Sequence, residues 1–462
     1  MRVVVIGSGI VGAGAAYYLS CQGAEVTVVD GGYQGEATQA GAGIVCPWVD
    51  HSEDDDWYRL TREGARAYPE LVEELGEDIG YAEVGALLVA EDPADLEPVR
   101  GLLRRRHPAA PEMGDIIDVS TPSELFPPLS DALSAILVPG AARVDGRSVR
   151  DALLQAAIAR GARVITGTAT LTPGGEVLVG PVSQGTGNGR GPAGRGASGD
   201  RGPLVTGDTT SWRQAAPLDH DAATGAGSGG TAGIPAASGS PDTTGNAGST
   251  GNLGSVGSPE SGPGVQGGPE RAAEMAEGRA GDLQVGDGAR LDADMVIVAA
   301  GAWTGEVCRP LGVELPVFPR RGQILHATLE GVDTAWWPMV LPRIGPYLLG
   351  FPDSRIVIGA TVEDVGFAPR ITMGGLDEVI EAGLRVAPGL VNATVSEVRV
   401  GLRPVYAPGP ALIGPLTDRV VVATGLSAYG LTAGPFTGLI AAALALGETP
   451  PIDITPYAPR PV

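Results

Sequence analysis

A glycine-rich turn between a short apolar run and a helix-forming segment stands at the start of the chain. Residues 2–6 read RVVVI, which is typical of a buried parallel strand, and residues 7–12 read GSGIVG. In this arrangement Gly7 permits a tight turn, Gly9 lets the backbone approach a pyrophosphate, and Gly12 allows a helix to pack closely on the strand. The feature predicts a Rossmann-type βαβ unit that binds a dinucleotide.

The second strand of this unit ends in a carboxylate. Residues 14–22 are predicted to form the helix, residues 25–29 read EVTVV, and Asp30 follows. The helix N-terminus would offer N–H groups and a positive dipole end to phosphates. Asp30 is placed to accept hydrogen bonds from a ribose, and its charge would repel a 2′-phosphate, so NADP is disfavoured. The unit alone leaves NAD and FAD both open.

Charge and cysteine pattern exclude several other classes of protein. With 54 acidic residues against 31 basic ones, all of them Arg, the net charge is −23, which argues against nucleic acid or anionic lipid as a partner. Cys21, Cys46 and Cys308 form no CxxC pair and the four histidines are scattered, so we expect no metal site and a cytoplasmic location. The apolar run at 439–446 is too short to cross a bilayer, so no integral membrane segment is expected.

A long segment in the middle of the chain differs in composition from the rest. From about 181 to 281 it is rich in Gly, Ser, Thr and Pro, without periodicity, and Trp212 is its only aromatic residue. Such a segment buries too little apolar surface to offset its ordering entropy, so we predict a disordered Gly/Ser/Pro-rich insertion. A glycine-rich ligand loop is the alternative, but such loops are much shorter.

Periodicity predicts alternating strands and helices elsewhere in the chain. The predicted helices after the first unit lie at 57–75, 148–160, 376–386 and 439–446. The predicted strands lie at 85–90, 162–165, 283–285, 295–299, 323–327, 347–350, 356–360 and 420–423.

Several further segments, taken together, are specific to one family of proteins. Residues 37–44 (ATQAGAGI) would pass for a flexible loop in isolation, but they occur with AAGAW at 299–303 and GLRP at 401–404. With these segments the chain resembles the FAD-dependent D-amino-acid oxidase family, which includes glycine oxidases, sarcosine oxidases and D-amino-acid dehydrogenases. The resemblance covers nearly the whole chain apart from the insertion. It also includes the segments at 143–153, 320–323, 358–367 and 425–435.

The resemblance implies an α/β fold with two domains. A Rossmann-like, glutathione-reductase-type FAD-binding domain would be assembled from 1–80, 143–180, 282–315 and 401–462. A β-rich substrate domain would comprise 81–142 and 316–400, with the active site between the two domains.

The resemblance also implies which residues contact FAD. Residues 38–44 should wrap the pyrophosphate and the flavin edge, and residues 425–432 should run past the pyrimidine end of the flavin. No Cys or His occupies a position used for covalent attachment, so non-covalent FAD is expected. The implied FAD-binding residues are Gly7, Gly9, Ile10, Val11, Gly12, Asp30, Gly31, Thr38, Gly41, Ala42, Gly43, Ile44, Thr170, Ala300, Gly301, Gly425, Ala428, Tyr429, Gly430, Leu431 and Thr432.

Two residues match the family's substrate-binding positions. Arg403 corresponds to the arginine that grips the substrate carboxylate, and Tyr347 to a tyrosine whose hydroxyl contacts the same group. Arg403 is predicted to lie in a Gly-Leu-Arg-Pro turn between apolar segments, where an unpaired guanidinium would be costly to bury and a bidentate carboxylate would remove that cost. A structural ion pair is the alternative for Arg403, and Arg343 is then the next candidate. For Tyr347 the alternative is a half-buried strand aromatic.

Two departures from the family pattern leave the substrate class open. Glycine oxidases often carry a second arginine where this chain has Ala428, and residues 427–430 (SAYG) resemble the SGHG of sarcosine-type enzymes with Tyr429 in place of His. Primary and N-methylated amino acids therefore both remain possible. Cys46 near the flavin is expected to be only a small apolar residue.

The implied reaction is oxidative deamination of a small amino acid, glycine or a D-amino acid, by hydride transfer from Cα to the flavin. A sarcosine or N-methyl amino acid oxidase or dehydrogenase is the first alternative. An NAD-dependent dehydrogenase and a non-catalytic flavin-binding scaffold are alternatives from other classes. The electron acceptor, oxygen or another compound such as a quinone, and the oligomeric state are left open by the sequence.

Overall fold

The computed structural model describes residues 1–51, 53–182, 288–343 and 345–460. Of the insertion predicted at 181–281, all but Pro181 and Val182 lie outside the described residues, as does the strand predicted at 283–285.

The described strands and helices are numbered here in chain order. The strands are β1 (Arg2–Ile6), β2 (Glu25–Asp30), β3 (Ile44–Val45), β4 (Ala82–Glu83), β5 (Ala86–Ala90), β6 (Ile117–Val119), β7 (Ser134–Val138), β8 (Ala142–Arg143), β9 (Arg163–Thr166), β10 (Thr168–Leu171), β11 (Val177–Gly180), β12 (Ala289–Leu291), β13 (Met295–Val298), β14 (Val317–Thr328), β15 (Met339–Pro342), β16 (Tyr347–Phe351), β17 (Arg355–Gly359), β18 (Thr394–Tyr406), β19 (Leu412–Thr417) and β20 (Val420–Thr424). The α-helices are α1 (Ile10–Cys21), α2 (Ala37–Ala40), α3 (Asp55–Arg66), α4 (Tyr68–Leu75), α5 (Glu97–Arg106), α6 (Gly146–Ala159), α7 (Thr304–Cys308), α8 (Met373–Val386) and α9 (Gly430–Leu446).

A six-stranded sheet carries the N-terminal unit. Its order is β19-β20-β13-β1-β2-β9, and all neighbours are parallel except β19, which pairs antiparallel with β20 at one edge. The strands at its centre are almost fully buried, as their unbroken runs of Val and Ile predict. Helix α1 packs against both α6 and α9 beside this sheet. The carboxyl ends of β1, β2 and β13 therefore meet at one edge of the sheet.

A second, eight-stranded sheet is mostly antiparallel. Its order is β18-β14-β17-β16-β15-β5-β7-β6, and the long strands β14 and β18 pair along nearly their whole length. Strand β18 runs through the predicted domain boundary at 400/401, so Arg403 lies in this sheet. The division of the chain into two domains stays a prediction.

The strands on either side of the predicted insertion are neighbours. In a three-stranded sheet β11 pairs antiparallel with β10 and with β12, and the register joins Val179 to Ala289. The connection that contains the insertion therefore starts and ends at adjacent strand ends.

Four local predictions differ from the structure. The first helix begins at Ile10 rather than residue 14, and the helix predicted at 57–75 is two helices, α3 and α4, with Pro69 near the start of the second. GLRP at 401–404 is not a turn but the interior of β18. The closing helix begins at Gly430 and contains Pro435, so it is much longer than the predicted 439–446.

The observed length of the closing helix bears on whether this segment could span a membrane. The helical segment Ser427–Leu446 is long and apolar enough to cross a bilayer by length and composition. Most of it is buried inside the protein, where α9 packs against α1 and α3. A buried core helix meets the same length and composition criteria.

Candidate active site

A cavity of about 1120 Å³ reaches from the carboxyl ends of β1, β2 and β13 to the eight-stranded sheet. It exceeds the roughly 300–1000 Å³ typical of a pocket for a drug-sized ligand. The carboxyl edge of a parallel sheet is where this class of fold binds its ligands. Every residue predicted to bind FAD or substrate lines this cavity, except Gly12.

The glycine-rich turn forms one end of the cavity. Gly7 has a φ of +100°, and a Cβ there would lie 2.5 Å from the carbonyl oxygen of Ala299. The amide of Ile10 donates to Thr38 Oγ1 at 3.0 Å, which ties the start of α1 to the second glycine-rich segment. Gly12 lies away from the cavity, and its Cβ would be 1.9 Å from the carbonyl oxygen of Gly7. Gly12 therefore allows close packing, and it does not line the cavity.

Asp30 lines the cavity but is also engaged with the backbone. Its Oδ2 accepts from the amide of Ser8 at 2.6 Å, and its Oδ1 accepts from the amide of Gly32 at 2.7 Å. Arg150 fastens the same turn by donating to the carbonyl oxygen and to Oγ of Ser8, at 2.9 and 2.6 Å. A carboxylate has about four acceptor sites, so Asp30 keeps capacity for a ribose.

Some cavity-lining residues were not predicted from the sequence. Glu36 lines the cavity, and burial, with the charge of Asp30 second, raises the pKa of its carboxyl. Tyr33 and Trp303 stack with their ring centroids 5.3 Å apart, and both line the cavity. The only sequence signal that could have identified Glu36 is its position as an acidic residue shortly after the second strand.

Arg403 lies at the other end of the cavity, on β18. Its Nη1 donates to the carbonyl oxygens of Thr361 at 3.0 Å and of Arg321 at 3.4 Å. A Cβ at Gly322 would lie 2.4 Å from Arg403 Nη2, so this glycine makes room for the guanidinium. Burial lowers the pKa of Arg403, and the hydroxyl of Tyr347 counters this shift.

A carboxylate that lies near Arg403 in the fold is paired with another arginine. Glu363 forms an ion pair with Arg321, and its Oε1 also accepts from Gln323 Nε2 and from Thr361 Oγ1, each at 2.7 Å. These contacts hold the pKa of Glu363 below its usual range. Within the described part of the chain, Arg403 forms no ion pair with a carboxylate. Its guanidinium thus keeps donors for an anionic ligand.

Tyr347 lies on β16 and forms a hydrogen bond with Arg403 of β18. A Cβ at Gly359 would lie 2.9 Å from the Tyr347 hydroxyl oxygen, so this glycine leaves space for the phenol. Burial raises the pKa of Tyr347, and Arg403 opposes the shift by its charge and by a hydrogen bond. The phenol is therefore neutral and can donate a hydrogen bond.

Tyr429 forms a second polar cluster on the cavity wall. Its hydroxyl donates to Asp50 Oδ2 at 2.5 Å, and burial raises the pKa of Tyr429 well above its usual value. Arg106 fixes the loop that carries Asp50 by donating to the carbonyl oxygens of Trp48, Asp50 and His51, at 2.8, 2.6 and 2.6 Å. The sequence did not indicate Asp50 or Arg106, because their partners are distant in the chain.

Cys46 lines the cavity with its thiol buried. Burial, followed by the charge of Asp50, raises the pKa of this thiol. A neutral thiol is a poor nucleophile, which agrees with the expectation of a small apolar residue. Within the described residues, no group of three or more His, Cys, Asp or Glu side chains could hold a metal ion.

Comparison with known proteins identifies the family. The family model of DAO, FAD dependent oxidoreductase, matches residues 2–193 and 269–444 and leaves out most of the predicted insertion. The chain is 35% identical to the Bacillus subtilis (strain 168) protein named "Uncharacterized oxidoreductase YurR", and the match covers 99% of this chain and 98% of that protein.

Solved structures and a further relative agree. The crystal structure of iminodiacetate oxidase (IdaA) from Chelativorans sp. BNC1 is 35% identical, with a TM-score of 0.74 and 99% of each chain covered. Glycine oxidase of Pseudomonas putida is 34% identical over 186 residues, which are 40% of this chain and 50% of that protein. Glycine oxidase from Geobacillus kaustophilus, 19% identical with a TM-score of 0.68, has the same fold.

Gly7 and Gly43 line the cavity, and a Cβ at either would collide with a backbone carbonyl oxygen, that of Ala299 or of Val144. An end of the cavity lined by glycine backbone fits the close approach of a dinucleotide. FAD is accordingly the cofactor, and the resemblance seen in the sequence is confirmed. The chain belongs to the DAO family of FAD dependent oxidoreductases.

Proposed function

We propose that this oxidoreductase removes a hydride from the carbon between the amine and the carboxylate of a small amino acid. Bound FAD supplies the hydride acceptor. The observation that carries the proposal is the guanidinium of Arg403, which lines the FAD cavity and has only backbone carbonyls and a phenol as described partners. A carboxylate is the ligand whose geometry fits such a donor.

Arg403 and Tyr347 would hold the substrate by its carboxylate. The guanidinium offers two parallel N–H donors, and the neutral phenol adds an O–H donor to the same group. Anchoring the carboxylate at two points fixes the adjacent carbon against the flavin, which lowers the entropic part of the barrier. The imino acid formed by loss of the hydride and the amine proton would then be hydrolysed by water.

N-substituted glycines are a second candidate class of substrate. The family relative with the TM-score of 0.74 is an iminodiacetate oxidase, and it is aligned over 99% of both chains. Ala428 also lines the cavity where glycine oxidases often carry an arginine, so the wall beside the substrate is less polar there. Oxidation of a secondary amine of this kind, followed by hydrolysis, gives a primary amine and an aldehyde or keto acid.

An anaerobic reduction screen tests the proposed function. Purified protein should be yellow, release FAD on acid precipitation, and lose its flavin absorbance when mixed anaerobically with a good substrate. Glycine, sarcosine, iminodiacetate, D-alanine and proline separate primary from secondary amines. A yellow protein whose flavin none of these compounds reduces would overturn the proposal and favour a non-catalytic flavin-binding role. A colourless protein that binds NAD would contradict the cofactor assignment itself.

A further inference from the structure

A second arginine, Arg343, lies on the wall of the FAD cavity and has a buried donor without an acceptor in the described part of the protein. Arg343 follows β15, and its backbone amide donates to the carbonyl oxygen of Val89 on β5 at 3.1 Å, which fixes its place against the eight-stranded sheet. The Nε of Arg343 is buried and has no hydrogen-bond partner in the described part of the protein. A desolvated donor on a cation is costly to leave unpaired, so the site is incomplete without an acceptor.

The chain's own carboxylates do not supply that acceptor. The acidic residues that line the cavity are Asp30, Glu36, Asp50 and Glu306. Asp30 binds the glycine-rich turn and Asp50 accepts from Tyr429, and none of the four makes a described ion pair with Arg343. Leu341 and Pro342, directly before Arg343, line the cavity as well and offer no polar side chain. Arg343 is therefore available to an anionic group of a molecule bound in the cavity.

We propose that Arg343 forms a second anion subsite, and that the substrate is an amine bearing two carboxylates. The inference rests on the proposed function, in which Arg403 and Tyr347 take the carboxylate beside the reacting carbon. Arg343 then takes the other carboxylate. Such an aminodicarboxylate carries a net charge of −1 at neutral pH, and two guanidinium groups neutralise its two carboxylates. In a chain of net charge −23, local arginines are needed to attract an anionic substrate.

Two ethers that cannot be oxidised as amines test the subsite without turnover. Diglycolate has an ether oxygen between two carboxymethyl groups, and methoxyacetate is its matched monocarboxylate. Titrated into the FAD-loaded full chain, each should perturb the flavin spectrum on binding. We expect diglycolate to bind at least about tenfold more tightly than methoxyacetate, because only diglycolate reaches both arginines.

Variants at Arg343 test whether this side chain binds the second carboxylate. In Arg343→Gln the affinity for diglycolate should fall about 10- to 100-fold, as loss of charge-assisted hydrogen bonds implies, while methoxyacetate binding stays within about twofold. Arg343→Lys should recover part of the loss, since an ammonium keeps the charge without the planar fork. Arg105→Gln removes the same charge from an exposed arginine outside the cavity and should leave both affinities unchanged.

The outcomes separate this inference from the proposed function. In turnover, Arg343→Gln should lose kcat/KM on iminodiacetate and keep it on sarcosine. Equal loss with both ethers, no change with either, or loss of FAD from the variant would each overturn the subsite. A flavin that no amine reduces would defeat the proposed function, yet the two ethers would still report whether Arg343 binds the second carboxylate.

Discussion

At the scale of single residues, the site depends on which arginines form ion pairs with carboxylates of the protein itself. Arg321 lies on β14 and Arg403 on β18. These two strands are paired, and their register places Arg320, the neighbour of Arg321, opposite Arg403. Arg321 is paired with Glu363, whereas Arg403 meets only carbonyl oxygens and a phenol. Because carbonyls compensate a buried cation only in part, Arg403 gains more from an incoming carboxylate than Arg321 does.

Replacing Arg403 should separate substrate binding from cofactor binding. Arg403→Ala should retain FAD, because the glycine-rich contacts lie at the other end of the cavity, but lose about one to two orders of magnitude in kcat/KM. That range follows from roughly 1.5–3 kcal/mol for a charge-assisted hydrogen bond. Arg403→Lys should recover only part of the activity. Steady-state kinetics and flavin content are the measurements.

An ester of the best substrate serves as the control for this variant. The ester lacks the carboxylate, so wild type and Arg403→Ala should turn it over at similar rates. Near-normal kcat/KM on the amino acid together with a lower melting temperature would make Arg403 a structural residue. The carboxylate anchor would then have to be sought at Arg343.

At the scale of secondary structure, two helices pack through glycines at the phosphate-binding end. A Cβ at Gly14 of α1 would lie 3.1 Å from the carbonyl oxygen of Pro435 of α9. A Cβ at Gly434 of α9 would meet Ile10 Cγ2 at 2.5 Å. Since Ile10 begins α1 and lines the cavity, the position of α9 also affects the helix start that is predicted to face the phosphates.

Gly438→Ala tests this coupling. The added Cβ would lie 2.5 Å from the backbone nitrogen of Ala15, and backbone cannot rotate away, so the helices must separate. We expect a loss of about 1–3 kcal/mol in the free energy of unfolding, typical of overpacking, together with weaker FAD binding. Denaturant unfolding and flavin titration measure the two effects.

The matched control is Gly374→Ala in α8, where a Cβ meets nothing within 4 Å. It should be neutral or stabilise the protein by up to about 1 kcal/mol, because alanine favours a helix. If Gly438→Ala behaved like this control, the close contact between α1 and α9 would carry no energetic weight.

At the scale of the whole molecule, the predicted insertion interrupts a hairpin of the small three-stranded sheet. Val179 and Ala289 are paired across β11 and β12, although more than a hundred residues separate them in sequence. The family model also passes over 194–268. The two ends of the connection that contains the predicted insertion therefore lie on adjacent strands.

Deleting residues 183–275 should leave the enzyme intact. The deletion joins Val182 to Ala276 and keeps the strand predicted at 283–285. FAD content, turnover and melting temperature should match those of the full chain, since the composition of the removed segment offers little to a core. Loss of flavin or precipitation of the shortened chain would show that the segment contributes to folding.

Two strands show where local sequence patterns predict the structure correctly and where they do not. The run at 2–6 was predicted residue for residue, because a buried parallel strand reads as continuous Val and Ile. Residues 401–404 were assigned to a turn, because Gly and Pro usually mark turns, yet they lie inside β18. Strand β18 is the edge of its sheet, and an edge strand tolerates Pro404, which has no N–H to donate.

The sequence by itself determined the dinucleotide-binding unit, the family and many of the residues that line the cavity, because those features are local patterns in fixed order. Only the tertiary structure decided which charges are paired. Glu363 is bound to Arg321, 42 residues away, and Asp50 to Tyr429, 379 residues away, whereas Arg343 and Arg403 have no carboxylate in the described chain. Pairing between distant side chains follows from the packing of elements that are far apart in the chain, and no local pattern encodes it.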